Sequence, residues 1–150
     1  MSDGMNDTCE APVDHLTKPK GDSLGDRMKG YEGVNRTYLP AKMPVIMRVD
    51  GRAFHTYTRG ARTPFDHGVI DAMDEVALAL CQQVSNCVLA YVQSDEISLL
   101  LIDYKDPDTQ AWFGGNIQKM VSVSASIAAV KMTLESWRLN ESARRGDPGF

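Results

Sequence analysis

VLAYVQSDEISLLLID, residues Val88 to Asp103, is the stretch whose reading decides the fold. Two strand-like apolar runs, CVLAYV (Cys87–Val92) and ISLLLI (Ile97–Ile102), flank the four residues Gln-Ser-Asp-Glu, the pattern of a β-hairpin. The turn carries two adjacent carboxylates, Asp95 and Glu96, beside strands whose composition says they are buried. Carboxylates there are costly as core and poor as decoration. They form either an acidic hairpin tip or half of a charged site.

Upstream of the hairpin, PVIMRVD (Pro44–Asp50) is β-branched and mostly apolar, which predicts a central strand that Gly51 ends. From Asp66 to Val84, apolar residues fall at Val69, Met73, Val76, Ala77, Leu80 and Val84, which is helical spacing, with Asp66 placed to cap the helix. Downstream, the charged loop DYKDPD leads to a second predicted helix from about Thr109 to Trp137. Ile117, Met120, Val121, Ser124, Ile127 and Ala128 share one of its faces, and Gly114-Gly115 delays its start. The polar NESARRGDPGF that follows reads as helix-breaking. At the other end, SLGDRMKGYE is a short helix or loop with Ser23 and Asp26 as caps, and residues 1–22 read as a disordered tail. The expected organisation is therefore a tail over 1–22 and one domain over 23–150.

The order β-α-β-β-α supplies five of the six elements of the ferredoxin-like β-α-β-β-α-β pattern, an α+β fold. Its last strand is lacking, which would leave an open sheet edge, so the chain is expected to continue in a longer protein. With 150 residues, 43% hydrophobic and 24% charged, the composition is that of one soluble domain able to bury a core. The net charge of −4 gives no overall basic field for nucleic acid, although a local basic site remains open. Cys9, Cys81 and Cys87 form neither a CxxC pair nor a disulfide framework, which predicts reduced thiols in a cytoplasmic setting. No apolar run approaches the roughly 18 residues needed to span a bilayer, so no membrane partner is expected.

In the ferredoxin-like topology the strand ending at Asp50 lies beside the hairpin, so Asp50 and Asp95 converge at one end of the sheet. Hard cations such as Mg²⁺ take oxygen ligands, and Asp50, the Gly51 carbonyl and Asp95 would supply them, with room for a pair of ions about 4 Å apart. The plainer reading makes Asp50 a turn residue. GRAFH, Gly51 to His55, can form an anion nest for a triphosphate, with Arg52 and His55 adding charge or stacking. Phe54 equally reads as core and His55 as a surface imidazole. Arg48 and Lys119 could face phosphates or simply be solvated, and Cys81 and Cys87 read as small core residues.

Those blocks, MRVDGRAFH, PFD (Pro64–Asp66) and YVQSDEIS, preceded by GDRMKGYE, resemble the tRNA-histidine guanylyltransferase family, more closely its Thg1-like branch of reverse (3′→5′) polymerases. The resemblance runs from about Leu24 to Trp137. It implies a polymerase-type catalytic palm and two Mg²⁺ ions. It also implies a nucleotidyltransferase that adds nucleotides to the 5′ end of tRNA, in tRNA-His guanylylation or tRNA 5′-end repair. The 5′-monophosphate is first activated with ATP, and the 3′-hydroxyl of an incoming nucleotide such as GTP then attacks. By the same resemblance Asp50, Asp95 and the Gly51 carbonyl bind metal, and Asp50, Asp95 and Glu96 support catalysis. Asp50, Gly51, Arg52, Ala53, Phe54, His55 and Ser94 hold nucleotide, while Arg48 and Lys119 approach the triphosphate of a second one. Family members are commonly tetramers, so a homo-oligomer is implied.

The sequence departs from the family pattern in two places. Thr63 stands where a lysine usually precedes proline, with Arg62 one residue earlier, and Asn116 stands where a basic residue is often found. The segment tied to strict histidine-tRNA guanylation would lie beyond Phe150. A palm-type nucleotide cyclase, or an inactive module that only binds nucleotide, would use the same carboxylate plan.

Overall fold

A computed structural model describes residues 23–145. The tail expected over 1–22 lies outside them, as do residues 146–150. The first helix, α1 (Leu24–Gly33), is capped by Ser23, whose hydroxyl accepts from the Asp26 amide at 3.2 Å. It belongs to a unit that ends at Asn35, separate from the unit that starts at Arg36.

The second unit is built on three strands: β1 (Val45–Asp50), β2 (Cys87–Gln93) and β3 (Glu96–Leu101). They lie in the order β1-β3-β2, with β3 antiparallel to both neighbours. The two-residue period of the strands decides the register. Val45, Met47 and Val49 of β1 and Ile97, Leu99 and Leu101 of β3 face the core, which places Ile46, Arg48, Asp50, Glu96 and Ser98 on the opposite face. In β2 the register slips between Cys87 and Leu89, so that Ala90 and Val92 still pack inward while Val88 and Leu89 are both exposed.

Two helices cover the core face. The helix α3 (His67–Gln83) follows a four-residue turn of helix, α2 (Phe54–Tyr57), and presents Met73, Val76, Ala77 and Leu80 to the sheet. Its expected cap is present: Asp66 accepts from the Val69 amide at 3.1 Å. Leu80 and Leu99 meet at the centre with 0% exposure each, a burial that contributes about 1.5–3 kcal/mol per side chain. The last helix, α4 (Ile117–Arg145), adds Met120 and Ala128. Cys81 and Cys87 lie at the end of α3 and the start of β2, their sulfurs 3.5 Å apart as free thiols. Burial pushes the Cys87 thiol up to about 11, as suits small core residues rather than reactive ones.

The helix α4 differs from its expected span at both ends. It begins at Ile117 rather than Thr109, after a 3₁₀ turn (Trp112–Gly115) in which Phe113, Gly114 and Gly115 all have positive φ. An α-helix cannot run through such a segment. A side chain on Gly115 would also come within 2.9 Å of the Leu39 carbonyl, because the Leu39 amide donates to the Gly115 carbonyl at 2.9 Å and holds the two segments close. At the far end the helix does not stop at Trp137 but continues to Arg145. The polar NESARR contains good helix formers, and Glu141 pairs with Arg145 one turn on at 3.2 Å. No described helix is long and apolar enough to cross a membrane.

Candidate functional site

The site is built where β1 ends and β3 begins. Asp50 is the register partner of Glu96, and the next amide, that of Gly51, donates to the Asp95 carbonyl at 2.9 Å. Between β2 and β3 only Ser94 and Asp95 form the turn, with Ser94 in the left-handed region at φ 57°. The sheet therefore brings the two carboxylate-bearing segments together through backbone bonds alone. Gly51 is required at the meeting point. A Cβ there would stand 2.7 Å from the Phe54 ring and 3.0 Å from the Asp95 Cβ.

After Gly51 the chain turns through Ala53, also left-handed (φ 52°, ψ 39°), into α2. Phe54 packs against the core, as one of its two sequence readings held, and its ring lies 5.1 Å from that of Tyr57. The Tyr57 hydroxyl shares a 2.7 Å hydrogen bond with the Ser136 hydroxyl, tying α2 to the later half of α4. The connection to α3 is closed by Asp66, whose second oxygen accepts from the Arg62 amide at 2.9 Å. Those backbone donors, Arg62 first and then Val69, hold the Asp66 carboxyl below the usual carboxylate range.

A cleft of about 900 Å³ opens between these parts. Gly51, Ala53, Phe54 and His55 form one wall, the Arg62–Asp66 segment and one flank of α3 (Val69, Ile70, Met73, Asp74) form another, and Val92, Ser94 and Asp95 close it. This volume is in the range of sites for nucleotide-sized ligands. The α3 flank escaped the sequence reading because Val69 and Met73 belong to the same apolar stripe that predicts the core. Thr63 and Arg62, the departure from the family pattern, both line the cleft.

Other predicted residues fall elsewhere. Asp50 and Arg52 are exposed and stand outside the cleft lining. Arg48 and Glu96, for which separate tasks were expected, are partners: the guanidinium lies 3.1 Å from the Glu96 carboxylate, and its Nε donates to the Ser98 hydroxyl at 3.3 Å. Lys119 is not brought to this site. It sits in the first turn of α4, its ammonium 6.0 Å from the centre of the Phe113 ring, and its neighbour Met120 shares a small cavity with Val45 and Leu101 at the opposite end of the sheet. The helix reaches the α2 end only at Ser136, about 25 Å further along at 1.5 Å per residue. Asn116 is buried and accepts from the Lys119 amide at 3.1 Å, so an asparagine serves there as the cap of α4.

Sequence reading missed Lys42 altogether. At φ 60°, it donates its amide to Asp103 Oδ2 (2.8 Å) and its ammonium to the carbonyls of Asp103, Asp106, Pro107 and Thr109 (3.0, 3.3, 3.0 and 2.7 Å). No local pattern announces a contact between segments so far apart in the chain.

Fold and site together define an α+β domain with a strand-borne carboxylate pair beside a cleft of nucleotide size. The family model described as "Thg1: tRNAHis guanylyltransferase" matches residues 25–148, and the chain belongs to that family. It is 36% identical over 58 residues to a probable tRNA(His) guanylyltransferase of Drosophila melanogaster, covering 37% of this chain and 20% of the relative. A bacterial Thg1-like protein solved in complex with GTP is similar at 49% identity and a TM-score of 0.72, over 77% of this chain and 53% of that one. The same kind of protein in complex with ATP gives 49% identity and a TM-score of 0.71, over 76% and 50%. The chain thus spans about half the length of the solved relatives and a fifth of the fly protein.

Proposed function

We propose that this chain is the palm of an enzyme that adds nucleotides to the 5′ end of tRNA in the 3′→5′ direction. A 5′-monophosphate is activated with ATP, and the 3′-hydroxyl of an incoming nucleotide such as GTP then attacks it. One observation carries the reading. The Gly51 amide bonded to the Asp95 carbonyl holds the end of β1, where Asp50 stands, against the β2–β3 turn, and Gly51, Ala53, Phe54, His55, Ser94 and Asp95 line one cleft beside it. Family membership, and GTP and ATP in the similar bacterial structures, support the choice of substrates. The strand order β1-β3-β2 is that of a ferredoxin-like sheet, whose remaining strand would lie beside β1.

The donor set suits Mg²⁺. Asp50, Asp95 and the Gly51 carbonyl are hard oxygen ligands, and among the described residues no group of three or more Asp, Glu, His and Cys could hold a metal alone. Such a set leaves coordination positions for water and phosphate oxygens, the arrangement Mg²⁺ takes in phosphoryl-transfer sites. The chemistry the metal supplies when bound is neutralisation of phosphate charge and activation of the attacking oxygen. The chain's own share is positioning. The amides from Arg52 onward, with Ser94 and His55, hold the triphosphate in the cleft, and Phe54 fixes that turn against the core. Glu96 stands between Asp95 and the Arg48 guanidinium, so the Arg48–Glu96 pair sets the charge next to the site. Lys119 has no part in this cleft.

The test is 5′ extension of labelled, 5′-monophosphorylated tRNA with ATP, GTP and Mg²⁺. It is run with this protein and with a form lengthened past Phe150 by the matching segment of the solved bacterial relative. Extension that disappears in Asp50→Ala and Asp95→Ala is the expected result. If neither form lengthens any tRNA, the reading fails; if both alanine variants still extend it, the carboxylates are not the site.

A further inference from the structure

Cys81 stands in the last turn of α3, and Cys87 is the first residue of β2. The corner between them, Val84 to Asn86, is held at both ends. The Val84 amide donates to the Leu80 carbonyl at 2.8 Å, and the Cys87 amide donates to the Val84 carbonyl at 3.3 Å. Asn86 takes the left-handed region at φ 65°, and its side chain donates to the Gln110 carbonyl at 2.6 Å. This corner sets the two thiols side by side, the Cys87 S–H donating to Cys81 Sγ at 3.5 Å. Neither lines the cleft, which Val92, Ser94 and Asp95 close at the other end of β2. Nucleotide addition leaves the pair without a task.

We propose that Cys81 and Cys87 form a reversible modification site, which a hydroperoxide oxidises to a disulfide and a dithiol reopens. Cys81, the sulfur that accepts the S–H bond, attacks the peroxide: an S–O bond forms, the O–O bond breaks and hydroxide leaves. The Cys87 sulfur then attacks Cys81 Sγ. The S–S bond forms as the S–O bond breaks, and the oxygen leaves as water with the Cys87 proton. Two thiols together lose two electrons, and with hydrogen peroxide both oxygens end as water. Proximity drives the second step. With its thiol pushed up to about 11, Cys87 is thiolate in roughly one molecule per thousand at pH 8, which makes it slow toward reagents from solution. Reacting atoms held about 3–3.5 Å apart gain an effective molarity on the order of 10⁵ M, which outweighs that loss. The sulfurs must close from 3.5 Å to the roughly 2.05 Å of a disulfide. The backbone is free to follow there, because the register of β2 slips directly after Cys87. Both cysteines are only partly buried, which leaves a small hydroperoxide a way in. The site works whatever the cleft binds.

The test uses the full chain carrying Cys9→Ser, so that the pair holds its only thiols, with about one equivalent of hydrogen peroxide at pH 8. The expected product is a monomer about 2 Da lighter than the reduced protein, closed to maleimide at both thiols and restored by dithiothreitol. No Lys or Arg lies between Arg62 and Lys105, so both cysteines fall in one tryptic peptide, and the mass loss should sit there. Cys87→Ser should trap the sulfenic acid on Cys81 as a dimedone adduct, and Cys81→Ser should take up about tenfold less dimedone. The mass measurement needs no substitution within the pair, so it decides the matter even if either variant misfolds. A gain of about 32 Da, the mark of a sulfinic acid, in place of the loss overturns the proposal. So do disulfide-linked dimers, or both thiols still open to maleimide after peroxide. Equal dimedone uptake by the two variants overturns the order assigned to the sulfurs.

Discussion

Gly51→Ala adds one methyl group at the tightest point of the candidate site. The new carbon would stand 2.7 Å from the Phe54 ring and 3.0 Å from the Asp95 Cβ, both closer than carbon atoms pack. The ring can tilt, because Phe54 is only partly buried. The Asp95 Cβ is held by a two-residue turn and by the bond from the Gly51 amide to the Asp95 carbonyl, so its relief needs backbone movement of several tenths of an ångström. Overpacking of this kind costs about 1–3 kcal/mol. The displacement falls on one of the two carboxylates, where misplacement by about 1 Å costs on the order of 100-fold in rate. Two measurements check this. Urea denaturation should show a loss of about 1–3 kcal/mol. Mg²⁺-dependent binding of GTP should weaken by about tenfold or more, whereas Ala53→Gly, which relieves a left-handed residue two positions on, should stabilise the chain by about 0.5–1 kcal/mol. A Gly51→Ala protein as stable as the parent, with GTP binding unchanged, would refute the account of how this corner positions its carboxylates.

Three further outcomes follow from the geometry. Lys42→Met should lower stability by about 1.5–3 kcal/mol in urea denaturation, because the carbonyls of Asp103, Asp106, Pro107 and Thr109 lose the ammonium, while the bond from the Lys42 amide to Asp103 Oδ2 is kept. Lys42→Arg, whose wider head cannot fit among the carbonyls, should restore little. Asp66→Asn should cost about 0.5–1.5 kcal/mol near neutral pH, because its NH₂ cannot accept from the Arg62 amide although its oxygen can still cap at Val69. The folded carboxyl titrates below its ordinary 3.8, so its contribution is present above about pH 4 and is lost as pH falls through the depressed value. Melting curves of parent and variant should accordingly converge in acid and separate above it. Finally, a Cys87 thiol at about 11 should alkylate with iodoacetamide at pH 8 much more slowly than a free cysteine; mass spectrometry of the labelled peptide reads this directly.

Much of the site was legible because short-range pattern and chemistry agree there. Alternation in CVLAYV and ISLLLI fixes which face each residue takes, and a strand ending at Asp50 must then meet the hairpin at Asp95. The misses have other physical origins. Polarity beyond Trp137 looked like a break in the helix, but the stretch to Arg145 contains no Gly or Pro, and ion pairs one turn apart support it. Lys119 was carried to the site by resemblance, whereas the direction of α4 places its first turn at the far end of the sheet. Arg48 and Glu96 are too far apart in sequence for spacing to reveal that cross-strand neighbours pair their charges. The cleft wall on α3 is legible only once the loop held by Asp66 is seen to stand away from the helix.

The bond between the Gly51 amide and the Asp95 carbonyl also sets a timetable. The β2–β3 hairpin closes through a two-residue turn and can form within microseconds, whereas β1 reaches β3 only after the intervening α2, α3 and β2 have been gathered in. Asp50 and Asp95 are therefore neighbours only late in folding. A ligand that bridges them meets nothing to hold in the unfolded chain or in the early hairpin. It should leave the refolding rate nearly unchanged and act on the other arm, slowing the escape from the native state.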